Sequence, residues 1–344
     1  MEKIDLSSLT FEELSEALKS LSLPAFRAGQ IYRWISRGVS SFDAMSDLSK
    51  DLRETLAQTF SLAQVYEETC LVSSDGTKKF LFRLADGNHI ETVLMRYEHG
   101  NSVCISSQVG CSMGCRFCAS TLKGKVRDLT AGEMFAQIAY INRTDPVSHV
   151  VVMGVGEPLD NFDNLVTFVR NLSSPKGFGM SQRHISVSTC GLVPKIDRLA
   201  ELNLQITLSV SLHAPDNETR DRIMPVNKAY PVEKLLAACD RYTAATGRRI
   251  SYEYIMIRGV NDTPRHAQLL AKHLHRKLAH VNLIPMNHVD ERDFQPSTPD
   301  AIRRFTAILT EQGINATCRR KLGKDIDASC GQLRARFEKN NPTR

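Results

Sequence analysis

The chain has 344 residues, 42% of them hydrophobic and 24% charged, with a formal net charge of +6. That balance belongs to a globular chain rather than a disordered one, and no apolar run approaches the roughly 18 residues a membrane-crossing helix needs. Residues 1–23 lack the apolar stretch of a secretory signal, and nine cysteines, an odd number, do not read as a disulfide framework, so a cytoplasmic protein with metal or thiol chemistry is expected.

Near the N-terminus, Phe11, Leu14, Leu18 and Leu21, then Ile31, Trp34 and Ile35, recur at helical spacing. With Pro24 near a start and Gly38 just past an end, the pattern predicts helices over 11–21 and 24–37. Residues 1–61 are therefore read as a small helical accessory domain. Residues 62–98 are rich in β-formers, and Ser74-Asp75-Gly76 and Ala85-Asp86-Gly87-Asn88 mark hairpin turns in a connecting segment. From residue 99 to the end, strands are predicted at 102–106, 149–153, 184–188, 205–211, 249–257, 280–284 and 315–319. Helices are predicted at 164–172, 193–202, 232–246, 264–274 and 300–312. Such alternation implies a parallel sheet with right-handed crossovers. Six or so βα units are too few for a closed eight-unit barrel. The expected fold class is therefore α/β, a partial (β/α)6 barrel, with an open doubly wound sheet as second choice. Both put ligands at the carboxyl ends of the strands.

The strongest local signal is Cys111-Ser-Met-Gly-Cys115-Arg-Phe-Cys118, directly after the first barrel strand. Three thiolates on one short loop can hold three irons of a [4Fe–4S] cube and leave the fourth iron open to a ligand. A structural zinc site would have to recruit a fourth ligand from elsewhere, and chance buried cysteines seldom cluster so tightly. Met153-Gly-Val-Gly-Glu157-Pro-Leu159 ends the second strand, where glycines permit close backbone approach and Glu157 can accept a hydrogen bond from a ligand's amino group.

With Phe117 before the third cysteine, the triplet resembles the radical S-adenosylmethionine superfamily. There, the amino and carboxylate groups of S-adenosylmethionine chelate the open iron, and an electron from the cluster splits the sulfonium to a 5′-deoxyadenosyl radical. Further segments are Cys104-Ile-Ser-Ser-Gln-Val-Gly-Cys111, Gly156-Glu-Pro-Leu159, Ser188-Thr-Cys-Gly191, Ser211-Leu-His-Ala-Pro215, Asn282-Leu-Ile-Pro-Met-Asn287 and Asp325-Ile-Asp-Ala-Ser-Cys-Gly-Gln-Leu333. In this order, and over nearly the whole chain, they resemble the RlmN/Cfr family of RNA adenine methyltransferases. The resemblance implies that Gly156, Glu157, Ser188, Ser211, Leu212, His213 and Asn287 line the S-adenosylmethionine site. It also implies that Cys330 carries the methyl group, that Cys104 resolves the intermediate by forming a disulfide with Cys330, and that Glu91 accepts a proton. Such a detour has a chemical reason: carbon 2 of adenine is electron-poor, so ordinary displacement on the sulfonium methyl cannot reach it.

Taken singly, each residue has a plainer reading. Ser and Asn at strand ends make turns or caps, His213 could be a satisfied core histidine, and Glu91 a solvated charge on a strand face. Cys70, Cys190, Cys239 and Cys318 are read as small hydrophobes. The implied substrates are 23S ribosomal RNA at the peptidyl-transferase centre and the transfer-RNA adenosine 3′ of the anticodon, with a flavodoxin or ferredoxin as electron donor, a monomeric state and no membrane. Basic residues from Arg319 to Arg344, and Lys19, Arg27, Arg33 and Arg37 as a clamp, suit phosphate contacts, though a merely solvated face is an equal reading for the clamp. The Pro158 and Pro-Met-Asn patterns resemble the carbon-2 branch of the family. A carbon-8 methylase, a radical enzyme on a non-RNA substrate, and a non-catalytic zinc or iron–sulfur RNA-binding module are the rivals.

Overall fold

The structure, a computed structural model, describes residues 3–287, 291–320, 322–326, 331–334 and 337. Thr10 accepts from the Glu13 amide while the Glu13 carboxylate accepts from the Thr10 amide, a capping box that starts α1 (Phe11–Lys19). Two more helices follow, α2 (Phe26–Ser36) and α3 (Lys50–Thr59). Their apolar faces, with Leu14, Leu18, Ile31, Ile35 and Leu56, bury against Leu6, Phe42 and Phe60 in a core of their own. This unit is tied to the rest by polar bonds: the Gly132 amide to Ser8 Oγ (3.0 Å), Asn171 Nδ2 to the Leu9 carbonyl (2.9 Å) and Tyr32 OH to Asn171 Oδ1 (3.2 Å).

Antiparallel strands come next: β1 (Tyr66–Val72), β2 (Lys78–Arg83) and β3 (His89–Tyr97), which pairs with β4 (Gly100–Cys104). Their turns fall at the two Asp-Gly pairs, where Gly76 and Gly87 adopt positive φ of +83° and +84°. From β4 the sheet turns parallel, through β5 (Val147–Val152), β6 (Ile185–Thr189), β7 (Thr207–Ser211), β8 (Ile250–Met256), β9 (Ala279–Pro285) and β10 (Ala316–Cys318). All ten strands form one sheet in chain order, and among the described residues its edge strands, β1 and β10, do not pair with each other, so the sheet does not close.

Helices α4 (Ala131–Asn142), α5 (Phe162–Ser173), α6 (Val193–Glu201), α7 (Asn217–Ile223), α8 (Val232–Thr246), α9 (Pro264–Leu274) and α10 (Pro299–Glu311) connect the parallel strands. Six βα units, β4 to β9, thus make a partial (β/α)6 barrel. Its core is one continuous cluster that includes Val103, Val150, Val187, Leu208, Tyr252 and Leu283. Among the described residues no helix is long and apolar enough to cross a membrane.

Candidate active site

Beyond β4 the chain folds into a small hairpin, Gln108–Gly110 paired with Lys125–Asp128, and the cysteine triplet is the loop that the hairpin brackets. The Cys111 amide donates to the Gly124 carbonyl (3.0 Å) and the Cys118 amide to the Cys115 carbonyl (3.1 Å). Thr121 Oγ1 lies 3.1 Å from the carbonyls of both Cys115 and Cys118, and the Arg116 amide donates to Ile223 at the end of α7 (2.9 Å). All three cysteines line a cavity of about 280 Å³ at the carboxyl ends of the barrel strands. Burial pushes the Cys111 thiol up to about 12 and the Cys115 thiol higher still. Three thiolates here therefore require a cationic centre, which the iron of a cluster supplies.

Among the described residues no three His, Cys, Asp or Glu side chains converge closely enough to hold a single metal ion. An iron–sulfur cube spreads its ligands over separate corners, and three cysteines on one cavity wall suit it.

The loop after β5 makes the next wall. A Cβ on Gly154 would stand 2.6 Å from the Ile105 carbonyl oxygen, and one on Gly156 2.6 Å from Ser107 Oγ. The glycines thus let this loop lie against the one that leads to the cysteines. Glu157 is buried, with Oε1 accepting from the Leu159 amide (3.0 Å) and Oε2 from the Cys190 amide (2.7 Å), while its own amide donates to Gln108 (2.8 Å). Burial raises its carboxyl above the ordinary value, and these hydrogen bonds oppose the rise. Ser188, Ser211, His213 and Asn287 also line the cavity, from the ends of β6, β7 and β9. His213 is buried, with Nδ1 accepting from the Ile255 amide (3.1 Å) and Phe117 edge-on to its ring at 5.0 Å. Leu212, between two cavity-lining residues, turns its side chain into the barrel core. Its carbonyl instead accepts from Arg220 Nε (2.9 Å).

Glu91 and Cys104 lie outside this cavity, on β3 and β4. Glu91 is not a solvated charge but 3% exposed: Oε2 meets Lys79 Nζ at 3.1 Å and the Gly331 amide at 2.7 Å, and Oε1 accepts from the Arg334 amide (2.7 Å). Cys104 packs with Val93 and Met95, against Met153 and Leu322. Cys330 is outside the described residues, and no disulfide joins two described cysteines, so the Cys104–Cys330 disulfide finds no support here. Cys190, read as a small hydrophobe, is buried in an apolar cluster and also lines the cavity, whereas Cys318, read the same way, is exposed. Sequence reasoning passed over Glu253, a buried carboxylate that lines the cavity and accepts from Asn282 Nδ2 (2.7 Å). Its signal was a lone charge amid the apolar residues of β8.

Residues 105–270 match the model of the radical SAM superfamily, and residues 4–62 match the ribosomal RNA large subunit methyltransferase N-terminal domain. A relative from Lachnoclostridium phytofermentans, named "Probable dual-specificity RNA methyltransferase RlmN", is 52% identical over 98% of this chain and 96% of its own. One of the same name from Desulforamulus reducens is 49% identical over 98% of each. Among solved structures, a radical SAM methyltransferase from Sphaerobacter thermophilus superposes with a TM-score of 0.92 at 44% identity, over 96% of this chain and 98% of that one. Streptococcus suis SuiB bound to S-adenosylmethionine, at 13% identity and a TM-score of 0.50 over 62% of this chain and 49% of that one, shares the fold. The cofactors are accordingly a [4Fe–4S] cluster and S-adenosylmethionine, and the chain belongs to the RlmN family of the radical SAM superfamily.

Proposed function

We propose that the chain is an RNA methyltransferase that places a methyl group on carbon 2 of adenine in 23S ribosomal RNA and in transfer RNA beside the anticodon. The observation that carries this reading is the position of Gly331, the residue after Cys330. Its amide donates to Glu91, and a Cβ on it would stand 2.7 Å from the Ser120 amide nitrogen, two residues past Cys118. The segment next to the methyl-carrying cysteine is thereby tied to both the proton acceptor and the cluster loop.

When bound, the cluster and S-adenosylmethionine supply a methyl group and a 5′-deoxyadenosyl radical that takes hydrogen from it. Cys111, Cys115 and Cys118 hold the cluster, and Gly156, Glu157, Ser188, Ser211, His213 and Asn287 hold S-adenosylmethionine. Cys330 would take the methyl group as thiolate and present it to the base as a thioether; after the carbon has lost one hydrogen and bonded to the ring, Glu91 would accept the ring proton, its bonds to Gly331 and Arg334 released, and the one electron given up would return to the cluster. The Cys104 thiolate would then attack the Cys330 sulfur: the sulfur–carbon bond breaks as the disulfide forms, and the electron pair goes to the adenine-bound methylene, which takes a proton to become the methyl group.

RNA is held through phosphate contacts and through the exposed ring of Phe26, beside which Arg27 stacks at 4.9 Å on the N-terminal unit. Such substrates suit a cytoplasmic enzyme reduced by a flavodoxin or ferredoxin. The test is nucleoside mass analysis of ribosomal RNA treated with anaerobically reconstituted protein. 2-Methyladenosine is expected; 8-methyladenosine, or unmodified RNA, would refute the reading.

A further inference from the structure

Arg220 lies on α7 and is fully buried. Nε donates to the Leu212 carbonyl (2.9 Å), Nη2 to those of Cys190 (2.8 Å) and Ser211 (3.2 Å), and Nη1 to Asn227 Oδ1 (3.1 Å) and the Tyr230 carbonyl (3.4 Å). Every partner is a neutral oxygen. The adjacent Asp221 directs its carboxylate to Asn227 Nδ2 (2.8 Å) instead. A guanidinium that keeps its charge in a dry interior without an anion is costly, and hydrogen bonds alone offset only part of that cost.

Two of the carbonyls it holds, those of Cys190 and Ser211, belong to residues that line the cavity of the three cysteines. Cys190, Ser211 and Leu212 end β6 and β7, two strands that border the cavity. The cysteine loop leans on the same helix: the Arg116 amide donates to Ile223, and Cys115 and Phe117 pack against Ile223 and Met224. Three thiolates give the cluster net negative charge, and reduction adds more. A positive charge held nearby in a low-dielectric interior favours the reduced state.

We propose that Arg220 is a positioning residue and the internal countercharge of the iron–sulfur cluster: it clamps the β6 and β7 ends at the cavity and stabilises the reduced cluster. This rests on the cofactor assignment of the family. It makes the guanidinium responsible for part of the potential at which the enzyme accepts its electron, a role distinct from binding S-adenosylmethionine directly.

The test is a potentiometric titration of the reconstituted holoenzyme followed by electron paramagnetic resonance, with iron and sulfide counts on each sample. Arg220→Gln is expected to shift the midpoint potential to a more negative value, and Arg220→Lys to restore most of it. To separate the loss of charge from any disturbance of the fold, a second variant keeps the arginine. The double exchange Asp221→Asn with Asn227→Asp moves a carboxylate onto Nη1 without changing net charge, and it too is expected to shift the potential negative. A cluster-loaded double variant with the wild-type potential overturns the proposal. Wild-type protein that binds no cluster overturns the cofactor assignment itself, so the two failures are distinguishable.

Discussion

His213 adopts a φ of +58°, a backbone that a non-glycine residue keeps only when its surroundings hold it there. Its Nδ1 accepts the Ile255 amide and its carbonyl accepts Asn261 Nδ2 (2.7 Å), so the ring proton sits on Nε2. Burial, and secondly Arg220, push the imidazole down to about 3, and the ring is neutral at working pH. In the unfolded chain a histidine titrates near 6.5, so between roughly pH 6.5 and 3 the unfolded state binds a proton that the folded state does not. Stability therefore falls as pH falls through that window. Urea denaturation at about pH 7 and about pH 5 should show this loss in the wild type and a smaller one in His213→Gln. The cysteine pair is tested at the same scale. Cys330→Ala should abolish methyl transfer, whereas Cys104→Ala should leave protein joined to RNA, seen as a slow band on a denaturing gel.

At the level of elements, the loop after β5 depends on lacking side chains. A Gly154→Ala methyl meets the backbone of Ile105 and Ser106, which cannot yield as a flexible side chain would. It should cost about 1–3 kcal/mol in urea denaturation and weaken S-adenosylmethionine binding, because the loop carries Glu157. Gly29, inside α2, has open space where a methyl group would go, with nothing within 4 Å, so Gly29→Ala should instead stabilise by about 1 kcal/mol. Strands β6 to β9 and helices α6, α8 and α9 were legible from sequence because turn residues separate each apolar run from the next helical stripe. Helix α4 shows no such stripe, because Met134, Phe135, Ile138, Ala139 and Ile141 bury nearly all round it. The cavity-lining serines, His213 and Asn287 were legible only as members of ordered motifs. Arg220 was illegible because Asn217–Ile223 reads as a polar surface helix, and only the folded chain turns the guanidinium inward onto the carbonyls of Ser211, Leu212 and the more distant Cys190. In the Ser211–His213 run, alternation sends the middle side chain, Leu212, to the core.

Across the whole molecule, the N-terminal unit has a core separate from that of the barrel, and Arg27, Arg33 and Arg37 lie on one of its helices or at its end. Arg33 and Arg37 are exposed. If this face grips phosphates, replacing the three arginines with glutamate should weaken RNA binding and flatten its dependence on salt, while S-adenosylmethionine cleavage in the absence of RNA stays unchanged. Binding isotherms at several salt concentrations check this.

The central claim is that a cluster on Cys111, Cys115 and Cys118 and a methyl carried by Cys330 act together on adenine. Supplying S-adenosylmethionine with a fully deuterated methyl group and weighing the product nucleoside tests it most directly. Transfer through a cysteine-bound carbon that has given up one hydrogen predicts a methyl group with two deuteriums on carbon 2. A methyl group that keeps all three would show direct displacement and contradict the account.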